Sequence, residues 1–359
     1  MRILDRYLLR EFLVYLMLGL MGFIVIFIVV DLIEKMDVFL DHKAPWFLIA
    51  QYFLNLTPDV IVKMLPVALL LATFLALGQL NKFGELTAMR AGGLSLTRIL
   101  APVFGVAIGC VFLSLLLGEY VVPAATRARD TIFEERIQHL VRSLPSERAD
   151  VTYLGRGGRV WLVGLYLVYE KRMHEVSLQE FRAGVLTRRI DAAEATWDGK
   201  RWIFASGYVR KFEAGREDAE AFQRMAVDGL GERPEDFAKP GHKPEEMNYF
   251  ELRGYVERLR ASGARVENYL VDLHLKLAFP LICLIVVLIG GALVTRLRMQ
   301  SAALGFGLAV AISFLYYAIM RAGQALGHNG ALPPYVAAWS ADVVFGSIGV
   351  WMMVQAQRR

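Results

Sequence analysis

Only two cysteines occur in the 359 residues, Cys110 and Cys283, and each lies inside an apolar run. A disulfide framework or a thiolate metal site needs more sulfur in more polar surroundings, so both read as small buried residues without redox chemistry. The six histidines, His42, His139, His174, His242, His274 and His328, are scattered, and none stands four residues from another as a helical metal pair would. Gly-x-x-x-x-Gly-Lys-Ser/Thr is absent, and the one Gly-rich loop, Gly155-Arg156-Gly157-Gly158, lies among strand-like segments. The chain is therefore expected to hydrolyse no ATP by itself. Gly-x-Ser-x-Gly is missing as well, so no enzyme class is suggested and no cofactor is expected. No repeat or low-complexity tract interrupts the sequence. A net charge of +5 without a basic cluster on any polar segment gives no footprint for nucleic acid.

Apolar residues are abundant. At 56% hydrophobic and a mean hydropathy of +0.41, the chain exceeds the apolar share of a soluble domain, and the excess belongs in lipid. Runs near the ~20 residues that a bilayer requires are Phe12 to Val30, Met64 to Leu80, Ile99 to Gly118, Leu277 to Thr295, Ser301 to Met320, and Pro334 to Val354, the last interrupted by Asp342. The first is too long for a signal-peptide core and no small-residue cleavage site follows, so it reads as a retained span. Trp46 to Thr57 is also apolar, but Pro58, Asp59, Lys63 and Pro66 break the pattern. A separate interfacial helix over Ala44 to Leu56 is expected ahead of the second span.

Orientation follows from the short loops. With both termini in the cytoplasm, the inner segments hold Arg2, Arg6, Arg10, Lys82, Arg90, Arg98, Arg296, Arg298, Arg358 and Arg359, against Lys35 and Lys43 outside and Arg321 at a margin. The expected organisation is spans one to three in residues 1–122 with a cytoplasmic loop at 82–98, an outer β-rich domain in 123–272 with a connecting helix at 248–262, and spans four to six in 273–359. In the outer domain, strand character appears in Arg159 to Val163, Glu175 to Phe181, Gly184 to Trp197, Lys200 to Phe212 and Glu220 to Leu230. Five strands without intervening helices suggest a jelly roll or sandwich. Asp198-Gly199 reads as a two-residue hairpin linker. After it, strict alternation places Trp202, Phe204 and Tyr208 on one face and Ile203, Ala205 and Val209 on the other. Such a strand is packed on both sides, or else it lines a greasy interior that receives an acyl chain. Beyond a charged, Pro-containing linker, Arg233 to Glu246, the residues Tyr249, Leu252, Val256 and Leu259 fall on one helical face, with Gly263 as a C-terminal stop.

Charged residues at the outer span ends are the candidate substrate contacts. Lys35, Lys63, Arg127, Arg129 and Arg136 could anchor the helices at the interface or form a basic rim for a phosphorylated amphiphile, since ammonium and guanidinium groups pair strongly with phosphate. Asp342 reads as a proton relay or as a polar residue packed within the bundle. Inside, Phe83 to Gly93 has the length of a short helix ending in a glycine pair, either a solvated connector or a helix docked into a partner's groove.

Several segments together resemble the paired permeases of the lipopolysaccharide exporter, the LptF/LptG family. They are Leu4-Asp5-Arg6-Tyr7-Leu8, the prolines Pro58 and Pro66, Glu85 to Gly93, Glu119-Tyr120-Val121-Val122-Pro123, and Leu273-His274-x-Lys276-Leu277-Ala278-Phe279-Pro280. The likeness covers essentially the whole chain, and the opening and the Pro333-Pro334 to Asp342 stretch look more like the G type. The resemblance implies a non-catalytic subunit of the bacterial inner membrane with six transmembrane helices and an inserted all-β periplasmic domain. It implies lipopolysaccharide as cargo, an F-type permease partner, a cytoplasmic ABC ATPase dimer (LptB-like) and a periplasmic bridge protein (LptC/LptA-like). Coupling to the ATPase would fall on Glu85, Leu86, Met89, Arg90 and Gly92. Lys35 matches a basic position of G-type members; Arg127, Arg129 and Arg136 do not align cleanly. The alternatives are a membrane-anchored scaffold or sensor with a periplasmic binding domain, and a proton-driven transporter using Asp342.

Overall fold

The computed structural model describes residues 3–138, 147–155, 158–182, 185–213, 216–227, 229–238, 244–261, 266–297 and 301–357. Two compact units emerge. One comprises Met1–Phe133, Pro244–Tyr249 and Glu267–Arg359, and the other Glu134–Lys243 and Phe250–Val266.

The first unit is helical. Its elements are α1 (Ile3–Glu34), α2 (Met36–Asp41), α3 (Trp46–Lys82), α4 (Glu85–Ala91), α5 (Leu96–Leu116), α6 (Val122–Thr131), α9 (Glu267–Ala278), α10 (Ile282–Leu297), α11 (Ala302–His328) and α12 (Pro334–Gln357). Among the described residues, six helical rods are long and apolar enough to cross a bilayer. Short π-helical turns join α5 to α6 and extend α6 to Ile137, so the third rod runs unbroken from Leu96 to Ile137. The expected separation of an interfacial helix from the second span does not occur, because α3 is one helix of 37 residues that contains both Pro58 and Pro66. A proline costs a helix about 3 kcal/mol in isolation, but here tertiary burial outweighs it. In the most apolar window of α3, 72% of residues are buried, against 6% in α1. The second span is thus the axle of the bundle and the first rides on its outside. Leu8, Phe12 and Leu16 of α1 join the core around Leu69, Leu70 and Leu77 of α3, while Val14, Met17, Leu18 and Met21 are exposed. The outward faces of α1 and α11 meet where Phe23 stacks on Phe306 at 6.4 Å. Apolar surface on this scale has to meet lipid or another membrane helix.

The second unit is built on one antiparallel sheet in sequence order, β1 (Glu147–Leu154), β2 (Arg159–Leu167), β3 (Arg172–Arg182), β4 (Val185–Trp197), β5 (Trp202–Glu213) and β6 (Arg216–Val227). An all-β insert between the third and fourth spans is as expected, with one more strand, β1, than its charged sequence discloses. From β2 to β6 the pairing skips one position on each strand, Gly164, Glu175, Ala193, Ser206 and Gln223, which form a row across the sheet, and Glu175 and Ser206 take left-handed φ angles of 53° and 52°. At this row the buried alternation of β2, β3 and β5 shifts by one residue, from Trp161 and Val163 to Tyr166, from Met173 to Val176, and from Phe204 to Val209. Bulge-like residues of this kind bend a strand and restart its pleat. Strict alternation fails for the same reason: Trp202 and Phe204 are fully buried, but Tyr208 emerges on the other side and is exposed. Gly207, beside the row, tolerates no side chain, since a Cβ there would stand 2.1 Å from the Asp191 carbonyl oxygen.

The hairpin between β4 and β5 also differs from expectation. Trp197 pairs with Trp202, so the loop has four residues, Asp198 to Arg201. The Asp198 carboxylate closes it by accepting the Lys200 and Arg201 amides, both at 2.8 Å, and these bonds hold its pKa below the ordinary aspartate value. The sheet interior is filled by the protein's own rings. Trp161, Trp202 and Phe204 pack with Phe237, which arrives on the short helix α7 (Pro234–Ala238). The Trp202 indole donates to the Glu232 carbonyl at 2.9 Å and the Tyr166 hydroxyl to the Pro234 carbonyl at 3.0 Å, and burial raises Tyr166 to about 12. In α8 (Tyr249–Ala261), Leu252, Val256 and Leu259 are buried as the periodicity indicates; Gly263 lies outside the described residues.

Candidate functional site

Lys35 follows directly on α1, and the structure gives it several partners. Its ammonium pairs with Asp31 one turn back and donates to the Tyr52 hydroxyl of α3 at 2.6 Å, and that hydroxyl donates to the other Asp31 oxygen at 3.1 Å. The same ammonium lies 5.1 Å from the Tyr52 ring centroid and 5.7 Å from that of Phe133, within cation–π range. Phe39, Phe53 and Phe133 meet Tyr52 or one another edge-on, forming an aromatic collar. Lys35 is thus a neutralised cation with 27% of its side chain exposed, over an Asp31 with 12% exposed.

Of the other basic candidates, Arg129 comes nearest to this cluster. It pairs with Asp130 at 2.8 Å and interacts electrostatically with Tyr52 and Asp59. Lys63 is bonded to Asp59 at 2.6 Å, and Arg127 donates to the Glu246 carbonyl at 2.7 Å. With the bond from the Tyr249 amide to Glu119 at 2.8 Å, Arg127 staples the returning chain to the third rod. Arg136 is exposed on the π turn Ile132–Ile137 and belongs to the second unit.

Beside Lys63 lies a cavity of about 590 Å³ within the helical unit. Its wall is mostly apolar, with Met64, Leu115 and Phe279 among the lining side chains, and its polar groups include Lys63, Lys276 and Arg321 alongside Asp59, Glu119 and Asp272. The Tyr317 hydroxyl ties α11 to α3 by donating to the Lys63 carbonyl at 2.5 Å, while Gln324 and His328 hold Asp272 at 2.8 and 3.0 Å. Apolar walls with a few convergent polar groups suit an amphiphile. Deeper in the bundle, the buried Asp342 accepts from Tyr316 at 2.8 Å, as a side chain packed between α11 and α12.

At the far end of α3, Gly84 and Gly93 bracket α4 with φ of 73° and 85°, angles that glycine adopts without strain. Leu86 is buried in the bundle core and Met89 packs against it. Glu85 and Arg90 are half-buried, whereas Thr87, Ala88, Ala91 and Gly92 are exposed together with Phe83, which lies beside the Lys82 ammonium. The loop is therefore a seated helix between two glycine joints, with a small-residue outer face. About 28 Å of continuous helix separates Lys63 from Lys82 at 1.5 Å per residue.

Sequence reasoning overlooked Tyr52, Phe133 and Phe83. Tyr52 stands 17 residues from the lysine it contacts, so no local spacing reveals it. Phe83 does leave a signal, an aromatic residue at the head of a loop whose other exposed residues are small or polar.

Comparison with known proteins agrees with this architecture. The family described as lipopolysaccharide export system permease LptF/LptG matches residues 6–355. The chain is 22% identical over 317 residues to the lipopolysaccharide export system permease protein LptG of Escherichia coli strain K12, covering 85% of this chain and 84% of that protein. The same figures hold for LptG of Escherichia coli O6:H1 strain CFT073. With six membrane-length rods, an inserted antiparallel sheet and a family match over nearly its full length, the chain belongs to the lipopolysaccharide export permease family LptF/LptG.

Proposed function

We propose that this chain is the G-type permease subunit of an ABC-type lipopolysaccharide exporter in the bacterial inner membrane. Both termini and α4 lie in the cytoplasm, and the β-sheet unit lies in the periplasm. The carrying observation is α3, one buried helix with the Lys35–Tyr52 and Lys63 groups toward one end and the glycine-hinged α4 at the other. A rigid rod of this kind passes a push at one end to the other without a flexible joint in between.

In this reading an F-type permease covers the exposed faces of α1 and α11, and lipopolysaccharide enters laterally from the outer leaflet between the two subunits. Lys35, Lys63 and Arg129 supply cations for its phosphates, and Arg127 and Arg136 extend the basic rim. A separate ATPase dimer docks on α4 through Glu85, Leu86, Met89, Arg90 and Gly92. Of these, Leu86 and Met89 keep the helix seated while its outer face makes the contact. ATP-driven closure moves α4, narrows the space between the permeases and expels the lipid toward a periplasmic bridge protein. The test is purification and reconstitution with Glu85→Ala. Loss of ATPase retention together with lipid export supports the reading, and an unaltered complex that still exports lipid overturns it.

A further inference from the structure

Three spans interrupt regular α-helix where they line the cavity beside Lys63. In the third, the π turn Leu117–Val121 contributes Gly118 and Glu119, and in the fourth the 3₁₀ turn Phe279–Leu281 contributes Phe279 and Pro280. In the second, Pro66 has no amide to close the helical bond to the carbonyl of Val62, which also lines the wall. A broken ladder leaves backbone groups to be satisfied by something other than the helix, and π turns recur at functional sites. One side chain points the same way. Ser114 of α5 lines the cavity at 2% exposure, and its Oγ has no hydrogen-bond partner. The Cys283 thiol beside it is a weak donor.

The rim carries both signs of charge. Among the described lining residues, Lys63, Lys276 and Arg321 stand with Asp59, Glu119, Glu245 and Asp272, three cations against four carboxylates. A doubly phosphorylated amphiphile would bring its own charges up against those carboxylates, which counts against it. A headgroup with one phosphate and one primary ammonium satisfies both signs. Its phosphate accepts from Arg321 and Lys276, and its ammonium donates to the carboxylates and to the Val62 carbonyl. The cavity, about 590 Å³, falls within the range of about 300–1,000 Å³ that holds one small ligand. Leu277 lines it and is also 40% exposed, so a tail has a way out into the bilayer. The depth agrees as well. About 28 Å of helix separates Lys63 from Lys82, close to the ~30 Å of the hydrocarbon layer, so with Lys82 at one face the rim meets the headgroups of the other.

We propose that this cavity is the site of one resident phospholipid, a zwitterion whose headgroup bears a primary ammonium. The lipid fills the space among the second, third, fourth and fifth spans and supplies the polar partners that their interrupted helices lack. The Lys35 cluster takes no part in it. The proposal goes beyond the exporter reading and does not rest on it, since it needs only a bundle embedded in a membrane.

The test is native mass spectrometry of the full chain in detergent. The chain is titrated with phosphatidylethanolamine, with phosphatidylglycerol, which lacks the ammonium, and with a doubly phosphorylated lipid A. One phosphatidylethanolamine per chain is expected, with the other two held at least tenfold more weakly. A Cβ added at Gly118 would meet nothing within 4 Å, so Gly118→Leu is expected to keep the melting temperature of the chain and to abolish the retained lipid. Arg321→Gln should weaken binding about tenfold through loss of a charge-assisted bond to phosphate. Equal binding of phosphatidylglycerol makes the lipid a nonspecific coat and overturns the proposal. Tighter binding of lipid A overturns it too, by making the cavity a cargo pocket, as does a Gly118→Leu chain that retains phosphatidylethanolamine. If Gly118→Leu fails to fold, Arg321→Gln and the headgroup comparison still decide. Lipopolysaccharide export is not the readout, so failure of the exporter reading would leave this result standing.

Discussion

The two sides of the Lys35–Asp31 pair should fail differently. Lys35→Met keeps the length and packing of the side chain but removes the charge, leaving the Asp31 carboxylate to the Tyr52 hydroxyl. Exposed pairs contribute about 0.2–1 kcal/mol, and breaking a buried one costs about 3–5. With 27% of the lysine and 12% of the aspartate side chain exposed, the loss should be about 2 kcal/mol. Asp31→Asn, in contrast, leaves Lys35 bonded to Tyr52 and stacked over two rings, and should cost about 1 kcal/mol or less. For cargo the signs diverge further. Removing the ammonium deletes a charge-assisted bond to phosphate, so capture should fall about tenfold. Removing the competing carboxylate frees the ammonium, so capture should equal or exceed that of the wild type. The assay is photocrosslinking of lipopolysaccharide next to position 35 in proteoliposomes, run beside thermal unfolding of the same samples. If Asp31→Asn loses capture as far as Lys35→Met does at matched stability, the pair holds the helices together and the phosphate role is refuted.

Further outcomes follow from the other sites. Trp202→Ala should destabilise the β unit by about 3–5 kcal/mol, and Trp202→Phe by about 1–3 through the orphaned Glu232 carbonyl, read as protease susceptibility of the full chain in detergent. Gly207→Ala should expose the same sheet to protease, because its Cβ would collide with the Asp191 carbonyl oxygen. The four-residue hairpin should loosen in acid. Asp198 has a lowered folded pKa, so its contribution is fully present above the ordinary aspartate value and is lost as pH falls through the lower folded one. Hydrogen exchange at the Lys200 and Arg201 amides should therefore accelerate below about pH 4, and Asp198→Ala should remove that dependence. Gly84→Ala and Gly93→Ala each force a side chain into a left-handed conformation at about 1 kcal/mol, and both should weaken ATPase retention while leaving the bundle's melting temperature nearly unchanged.

The sequence displayed the six spans because lipid imposes a length and a polarity that no other solvent demands. It concealed the unity of α3, since Pro58 and Pro66 look like breaks until surrounding helices bury the segment. Period-2 reading carried β5 from Trp202 to Phe204 and then misplaced Tyr208, because a left-handed serine carries no signature in a residue string. Strand β1, with Arg148 and Asp150 among its members, was invisible without the partner β2. The site was legible in kind but not in arrangement. Lys35 stood out as a cation at a span end, but its neutralisation by Asp31 and its shelter under Tyr52 and Phe133 depend on elements that only folding brings together.

The length of α3 has a consequence for the membrane that holds it. Tyr52 lies about 45 Å along the axis from Lys82, while the hydrocarbon layer is ~30 Å thick, so in the proposed orientation, with Lys82 at the cytoplasmic face, the aromatic collar stands clear of the acyl chains even with a tilt of about 20°. A thicker bilayer would submerge that overhang and a thinner one would strand it in water. Lipid thickness should therefore tune how readily the collar meets a passing headgroup, with no change in the protein at all.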